Sequence, residues 1–291
     1  MQEGVVIKAY GGFYYVRVGK QLLECRLRGK FRLQKLNALP GDIVQIAETG
    51  LGKGVVEAIL PRKNELVRPP IANVEQVLLV FAGHDPEPDL ALLDRLLILT
   101  EIQGLKPLVC FNKCDLLTPE ELDVLMMVYK QTGYQVEIIS ARAAIGLDNI
   151  RLALQHRISV IAGPSGAGKS TLLNSIEPGL SLKTGEVSAR IGRGRHTTRH
   201  VELLPLSFGG LVADTPGFSS LFLPEMRKEN LASYFPEFSA YLGQCRFNGC
   251  LHDREPDCVV KEALEQGNIA RERYTNYLAF LAEVKEKERR Y

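Results

Sequence analysis

The feature that most constrains this chain is a glycine-rich segment between an apolar run and a helix-like pattern. It matches G-x-x-x-x-G-K-S and comprises Gly163, Pro164, Ser165, Gly166, Ala167, Gly168, Lys169, Ser170 and Thr171. A strand before such a segment and a helix after it are the context of a phosphate-binding loop. Its glycines let backbone N–H groups face phosphate oxygens at the positive end of the helix. We therefore expect a nucleoside triphosphate, with Lys169 on its β- and γ-phosphates and Ser170 on Mg²⁺.

Two polar motifs that directly follow predicted buried strands indicate the base. They are an N-K-x-D pattern and an S-A-R pattern, formed by Asn112, Lys113, Cys114 and Asp115 and by Ser140, Ala141 and Arg142. The Asp115 carboxylate can accept hydrogen bonds from guanine N1–H and the exocyclic amino group, a donor pair that adenine lacks. We expect Lys113 along the base, Asn112 bracing neighbouring loops and the Ala141 amide on guanine O6. Alone N-K-x-D is a weak signal, but beside a phosphate loop it indicates guanine.

The segment after the predicted loop helix contains candidates for the contacts made with the γ-phosphate and Mg²⁺. It is rich in glycine and arginine and includes Thr197 and Thr198. A threonine in such a switch closes onto Mg²⁺ when the γ-phosphate is present; we favour Thr198, with Thr197 as the alternative. Further on, a D-x-x-G pattern runs from Asp214 to Gly217. We expect Asp214 to hold Mg²⁺ through its second shell and the Gly217 amide to meet the γ-phosphate.

The order of these motifs is unusual. Strand-like and helix-like segments alternate over residues 66–222, which predicts a mainly parallel sheet covered on both faces, after a linker at residues 66–70. Ordinary Ras-like GTPases begin with the phosphate loop, whereas here the N-K-x-D and S-A-R motifs precede it. The chain therefore looks like a circularly permuted GTPase, a rearrangement that is tolerated when chain termini lie close together on a surface.

Residues 1–65 contain five short strand-like segments separated by glycine-containing turns, without a long helical pattern. This pattern predicts a small closed barrel of the OB type, with an SH3-like barrel as the alternative. The region carries eleven Lys or Arg against six Asp or Glu. Five of the basic residues lie close together in the sequence: Arg26, Arg28, Lys30, Arg32 and Lys35. Together with Tyr14 and Tyr15 they indicate an RNA-binding surface; the alternative is a solvated basic face with the tyrosines in the core.

Residues 223–291 contain a Cys/His cluster formed by Cys245, Cys250, His252 and Cys258. Three thiolates and one imidazole complete the four-ligand set of a structural Zn²⁺ and leave no position open for a catalytic water. The spacing is not the common finger pattern, and the alternative is a set of buried free thiols. The surrounding sequence predicts a mostly helical domain that ends in a helix over about residues 268–288. Because D-x-x-G lies just before this domain, we expect movement of the second switch to reach it.

The composition is that of an ordinary globular protein, with 45% hydrophobic and 24% charged residues. No apolar run approaches the roughly 20 residues that span a bilayer, and no basic-then-apolar leader is visible at the start. We expect a cytoplasmic protein without a membrane partner, and a monomer.

With these three parts in this order, the chain resembles the RsgA (YjeQ/YloQ) family of ribosome-assembly GTPases over essentially its whole length. The resemblance implies an OB-fold RNA-binding domain in residues 1–65, a circularly permuted GTPase domain in residues 66–222 and a zinc-binding domain in residues 223–291. It also implies GTP hydrolysis late in maturation of the small ribosomal subunit, with GTP-dependent binding to rRNA and release on hydrolysis. An alternative is a GTP-dependent RNA-binding sensor or translation regulator, in which hydrolysis only resets the state.

The residue that orients the attacking water differs from that of Ras. Ras has a glutamine after D-x-x-G, and this chain has Phe218, which cannot orient a water molecule. We expect His196 to replace it, because an imidazole can handle a proton near neutral pH and the resembled family has a histidine in this motif. An RNA contact by His196, or an arginine finger from Arg193 or Arg195, is the alternative. Basal turnover is expected to be slow and to rise on the partner.

Overall fold

The computed structural model describes residues 1–29, 31, 36–67, 69–180, 182, 201–214 and 222–289, with only the backbone described at Asp214. The chain divides into two compact units. The first contains Met1–Leu78, Leu147–Ser165 and Lys169–Ser219, and the second contains Leu79–Gly146, Gly166–Gly168 and Ser220–Tyr291. Among the described residues, no helix combines the length and apolarity needed to cross a membrane.

Five strands form a closed barrel in the first unit. They are β1 (Gln2–Tyr10), β2 (Phe13–Val18), β3 (Gln21–Leu27), β4 (Ile43–Gly50) and β5 (Lys53–Ile59). The strand order is β1-β2-β3-β5-β4, closed by antiparallel pairing of β1 with β4, and β3 runs parallel to β5. Alternate side chains point inward and build the barrel core, for example Val16, Leu23 and Ile46. The OB-type barrel is therefore confirmed.

The structure corrects the expected stacking surface of the barrel. Tyr14 is only 8% exposed and belongs to the barrel core. Tyr15 is half-buried, and its hydroxyl donates to Glu24 at 3.4 Å. The aromatic–basic pair is instead formed by Phe13 and Arg26, whose guanidinium carbon lies 4.6 Å from the ring centroid. Lys30, Arg32 and Lys35 lie outside the described residues.

The segment expected to be a linker contains a short hairpin. Strands β6 (Glu65–Val67) and β7 (Pro70–Ala72) pair antiparallel, and the Ala72 amide donates to the Pro40 carbonyl at 2.8 Å. Gly41 adopts φ +93°, and a Cβ there would lie 2.0 Å from the Ala72 carbonyl oxygen. Only glycine therefore permits this close approach, and the hairpin is attached to the barrel rather than being a free connection.

The central sheet has six strands. They are β8 (Gln76–Ala82), β9 (Lys106–Asn112), β10 (Gln135–Ile138), β11 (Ile158–Ala162), β12 (Leu203–Pro205) and β13 (Leu211–Asp214). Their order is β10-β9-β8-β11-β13-β12. β10 pairs parallel with β9 and β11 with β13, whereas β12 at the edge runs antiparallel to β13. All residues of β8 and β11 are buried, as expected for strands covered on both faces.

The described residues include six α-helices. They are α1 (Leu90–Ile102), α2 (Pro119–Tyr129), α3 (Leu147–Leu154), α4 (Lys169–Ile176), α5 (Val259–Glu265) and α6 (Arg271–Glu288). α2 begins with a capping box, in which the Thr118 hydroxyl accepts from the Glu121 amide and the Glu121 carboxylate accepts from the Thr118 amide. The tail of the chain, residues 223–291, begins with two short 3-10 helices, Lys228–Tyr234 and Pro236–Phe238.

A buried ion network attaches α6 to α1 within the second unit. Arg273 is 1% exposed and donates to Asp94 at 2.6 Å and to Glu237 at 2.7 and 3.0 Å. Asp94 also accepts from the Tyr129 hydroxyl and from the Asn276 amide, at 3.0 and 2.7 Å. The tail helix and the helix that follows β8 are therefore joined by a fully hydrogen-bonded charged network.

Candidate functional site

The glycine-rich loop joins the buried strand β11 to α4, as the sequence predicts. Gly163, Gly166 and Gly168 have φ values of +140°, +82° and +87°, in the region that favours glycine. A Cβ on Gly168 would lie 2.3 Å from the Asn112 side-chain nitrogen. The loop can therefore keep this path only with glycine at position 168.

Lys169 and Ser170 stand at the start of α4. The Lys169 ammonium donates to the carbonyls of Gly163 and Pro164, at 2.9 and 2.7 Å, so it lies against the loop that precedes it. Ser170 is 8% exposed. A cation and a hydroxyl are thus combined with the positive end of a helix, an arrangement suited to phosphate oxygens.

Asn112 connects three loops in the second unit. Its side-chain oxygen accepts from the amides of Lys113 and Ala141, at 2.8 and 2.9 Å, and its side-chain nitrogen donates to the Ala167 carbonyl at 2.9 Å. Asn112 is 2% exposed. The residue therefore braces the N-K-x-D loop, the S-A-R loop and the phosphate loop, as its position predicts.

The rest of the N-K-x-D motif forms a fixed turn. Lys113 has φ +66° and its ammonium donates to the Asp85 carbonyl. The Cys114 amide donates to the Ile139 carbonyl at 3.0 Å, and burial raises the pKa of the Cys114 thiol, which therefore stays protonated. Asp115 is exposed in the 3-10 turn Cys114–Leu116. Its carboxylate is thus presented on a turn held by backbone hydrogen bonds.

The S-A-R loop is shaped by Ser140. This residue is fully buried, its hydroxyl accepts from the Ala143 amide at 3.0 Å, and its backbone pairs with Ile145. The Ala141 amide donates to the Asn112 side chain. If this amide also contacts guanine O6, its single N–H is shared between two acceptors.

Several predicted switch and magnesium residues fall outside the described part of the chain. The backbone of Asp214 ends β13 opposite Ile161 of β11, two residues before Gly163, so this motif begins at the same sheet edge as the loop. The remaining residues lie outside the described ranges, namely Arg193, Arg195, His196, Thr197, Thr198, Gly217 and Phe218.

The four predicted tail ligands form a compact cluster. The ligand atoms of Cys245, Cys250, His252 and Cys258 all lie within 4.8 Å of one another. His252 Nδ1 is 3.6 Å from Cys245 Sγ and 3.4 Å from Cys258 Sγ, and the two sulfurs are 3.9 Å apart. A tetrahedral ion with metal–sulfur bonds of about 2.3 Å and a metal–nitrogen bond of about 2.0 Å requires edges of about 3.5 to 3.8 Å. The cluster could therefore hold a metal ion.

The electrostatics of the cluster suit a cation. Burial raises the pKa of the Cys250 thiol to about 12 and lowers the pKa of His252 below its usual value. A neutral imidazole is the form that binds a metal, and a bound cation favours the thiolates that burial alone disfavours.

Two tyrosines of α6 form hydrogen bonds with the backbone of the cluster. The Tyr274 hydroxyl donates to the His252 carbonyl and the Tyr277 hydroxyl to the Leu251 carbonyl, both at 2.7 Å. Helical spacing alone assigns both residues to a packing stripe of α6. Tyrosine rather than phenylalanine at a buried position was the available signal, because a buried hydroxyl needs a partner.

The fold and the site together define a class of protein. The chain combines a closed five-stranded barrel with a largely parallel sheet that carries a phosphate loop, and its N-K-x-D motif precedes the phosphate loop in the sequence. These features define a circularly permuted GTPase that binds guanine nucleotides. The sequence matches the family described as RsgA GTPase over residues 59–224 and the RsgA N-terminal domain over residues 3–56. The chain belongs to the RsgA GTPase family. The resemblance seen in the sequence is confirmed, and the protein is a GTPase.

Individual relatives agree over the full length. A protein of Moorella thermoacetica is 51% identical over 289 residues and one of Carboxydothermus hydrogenoformans is 54% identical over 288, with 99% of this chain and of each relative covered. Both are called small ribosomal subunit biogenesis GTPase RsgA.

Two crystal structures show the same architecture. YjeQ from Thermotoga maritima aligns with a TM-score of 0.83 at 38% identity, over 97% of this chain and 98% of that one. YloQ, described as a circularly permuted GTPase, aligns with a TM-score of 0.81 at 39% identity, over 99% and 96%. Nothing in these comparisons favours a translation regulator or RNA sensor.

Proposed function

We propose that this GTPase acts in late maturation of the small ribosomal subunit, binding rRNA in its GTP form and leaving after hydrolysis. Support comes from relatives matched over 99% of both chains, whose name gives them a role as GTPases in small ribosomal subunit biogenesis. The structural observation that carries the guanine-nucleotide site is Asn112, which joins both base-reading loops to the phosphate loop.

GTP is held by the four motifs in distinct ways. The base meets Asn112, Lys113, Cys114, Asp115, Ser140 and Ala141. The phosphates meet Gly163, Pro164, Ser165, Gly166, Ala167, Gly168, Lys169, Ser170, Thr171 and Gly217. On binding, the Lys169 ammonium exchanges two carbonyl acceptors for phosphate oxygens, a stronger charge-assisted pairing.

Magnesium is held through Ser170, Thr198 and Asp214. Hydroxyl and carboxylate oxygens are the ligands that this ion prefers, and the position of Ser170 beside Lys169 at the start of α4 fits that role. These three residues would hold Mg²⁺, which would supply positive charge to offset the negative charge that develops on the phosphates.

His196 orients the water that attacks the γ-phosphate, in place of the Ras glutamine. Its imidazole accepts a hydrogen bond from that water and aligns it with the γ-phosphorus. A His196→Ala variant that hydrolysed GTP at the parent rate would remove this assignment.

The metal of the tail cluster is zinc, with a structural role. Four protein ligands of the Cys₃His type saturate a tetrahedral ion. Metal analysis should find one zinc per chain, and chelation should unfold residues around Cys245–Cys258 as seen by hydrogen exchange, whether or not GTP is bound.

The three parts of the chain divide the work. We assign RNA binding to the OB barrel in residues 1–65, the GTP switch to residues 66–222 and the zinc fold to residues 223–291. The protein works as a monomer in the cytoplasm, where its subunit partner is assembled.

The decisive experiment is GTP turnover with and without purified small subunits. We expect slow hydrolysis alone and at least a tenfold rise with subunits, the scale of a supplied catalytic group or its positioning. Equal stimulation by protein-free rRNA would favour an RNA sensor, and no stimulation by subunits would refute the proposal.

A further inference from the structure

One face of α2 presents large apolar side chains and carboxylates together to solvent. Val124 and Met127 are 66% and 67% exposed, and Glu120 and Asp123 are exposed as well. Spacings of three and four residues place these side chains side by side on one helix face. Leu116, in the turn before the helix, is 51% exposed. We call these five residues the α2 patch.

Folding does not require apolar residues on this face. α2 is anchored through Leu125, Val128 and Tyr129, which are buried on its other side. Single exposed apolar residues are common on protein surfaces, but adjacent ones flanked by charge are the pattern of a contact site. The patch is also near the base-reading motif, because Leu116 shares the turn Cys114–Leu116 with Asp115.

We propose that the α2 patch binds a basic, amphipathic protein segment on the surface of the small subunit. Lysine and arginine side chains of such a segment pair with Glu120 and Asp123, and its apolar side chains cover Val124 and Met127. This inference rests on the proposed function, which brings the subunit to the protein.

The negative charge of the α2 patch indicates whether its binding partner is a protein or a nucleic acid. Glu120 and Asp123 would repel the phosphate groups of a nucleic acid. Among the described residues, the exposed face of α2 has one cation, Lys130, and this residue lies beyond the last turn of the helix. An RNA contact requires the opposite sign of charge. The occupant is therefore a cationic protein segment.

Three variants of the full chain test the assignment. Val124→Ser with Met127→Ser removes the apolar contact, and Glu120→Lys with Asp123→Lys reverses the charge. Leu152→Ser on α3 is the matched control, because Leu152 is an equally exposed apolar helix residue, at 69%. All of these positions are exposed, so only small changes in melting temperature are expected, and a slight decrease is expected for the lysine pair because Glu120 lies in the first turn of α2, where an acidic side chain is favourable.

The measurement is binding of each variant, with a non-hydrolysable GTP analogue, to purified small subunits by co-sedimentation. We expect the serine pair to weaken binding about five- to thirtyfold, as for truncation of interface anchors. The lysine pair should weaken binding at least as much, and more at low salt, because like charges then meet unscreened. Leu152→Ser should bind as the parent does.

The outcomes separate this inference from the proposed function. Parent protein that fails to bind subunits would refute both. Parent binding with unchanged affinity of the serine pair, or with an equal loss for Leu152→Ser, would refute only the α2 patch. Tighter binding by the lysine pair, or an equal loss on protein-free rRNA, would show an RNA occupant and also overturn the proposal.

Discussion

Lys8 of the barrel strand β1 forms an ion pair with Glu202, with 2.8 Å between the ammonium and the carboxylate, and their backbones form an antiparallel bridge. Glu202 lies four residues after Thr198 in the sequence and directly before β12. The chain that follows the predicted threonine switch is therefore held to the barrel by an ion pair and a backbone bridge. Because only a few residues separate Thr198 from Glu202, we expect nucleotide-dependent changes in that switch to reach the barrel through this ion pair.

Charge reversal should reveal this pair. Lys8→Glu and Glu202→Lys each place like charges opposite one another, and each should destabilise the first unit by about 0.5–1 kcal/mol, since both side chains are partly exposed. The double swap should recover most of the loss. Urea unfolding of the four proteins gives the coupling, and strictly additive losses would mean that no direct interaction exists.

A second prediction concerns the base. Asp115→Asn replaces an acceptor with an amide that can donate to the C2 carbonyl of xanthine but cannot accept from both guanine donors. We expect GTP affinity to fall at least a hundredfold and XTP affinity to rise. Competition of each nucleotide against a fluorescent analogue measures both. Unchanged GTP affinity would remove Asp115 from the site, and Glu120→Gln, a nearby exposed acid, is the control.

Much of this fold follows from local sequence. The buried strands β8 and β11, the capping box of α2 and the glycine-rich phosphate loop can each be recognised from a short stretch of sequence. The sequence also indicates the side of β2 to which Tyr14 points. Tyr14 and Val16 are two residues apart on a strand, so their side chains point to the same side. The predicted stacking role of Tyr14 is wrong, because the alternation along the strand places its ring on the inward face with Val16.

Other features depend on contacts that local patterns do not show. Strands β6 and β7 have three residues each, too few to display a period, so the hairpin was mistaken for a linker. The charge of Arg273 is neutralised by Asp94, 179 positions away, and nothing in the α6 sequence reveals that partner. The expected transmission from the second switch to the tail stays a prediction, because residues 215–221 lie outside the described residues.

A third prediction tests the close approach at Gly168. Gly168→Ala would bring a methyl group to 2.3 Å from the Asn112 side-chain nitrogen, at a φ of +87° that alanine disfavours. Asn112 would have to move, which breaks its hydrogen bonds to the Ala167 and Ala141 backbones. We expect GTP affinity to fall at least tenfold with a loss of about 1–3 kcal/mol in stability. Gly179→Ala is the control, because a Cβ there meets its nearest neighbour at 3.5 Å.

A fourth prediction concerns acid stability. Burial alone would raise the pKa of Glu283, but hydrogen bonds from Arg95 and Lys287 outweigh it and leave the pKa below its usual value. A depressed pKa stabilises the fold above the unfolded value of about 4.3 and loses that contribution as the pH falls through the folded pKa. Glu283→Gln should therefore cost stability at pH 7, and this cost should shrink as the pH falls through the folded pKa. Urea unfolding at a series of pH values from 7 downward measures the cost, and a pH-independent loss would contradict the ion-pair explanation.

The last prediction concerns the buried network around Arg273. Its two partners, Asp94 and Glu237, have side chains that are 1% and 2% exposed, so removing the guanidinium leaves two carboxylates desolvated and unpaired. Arg273→Met should destabilise the second unit by about 3–5 kcal/mol, the cost of an uncompensated buried charge. Because α6 also carries the tyrosines that bind the backbone of the Cys/His cluster, the zinc proposed there should be lost at lower chelator concentration than in the parent.

A compensated variant separates charge from packing. Arg273→Met combined with Asp94→Asn and Glu237→Gln removes the buried charges and keeps an acceptor for the Tyr129 hydroxyl and Asn276 amide. This triple variant should recover more than half of the lost stability and of the zinc retention. Recovery of stability without recovery of zinc retention would show that Arg273 positions α6 against the cluster specifically. No recovery of either would show that shape, rather than charge, holds α1 and α6 together.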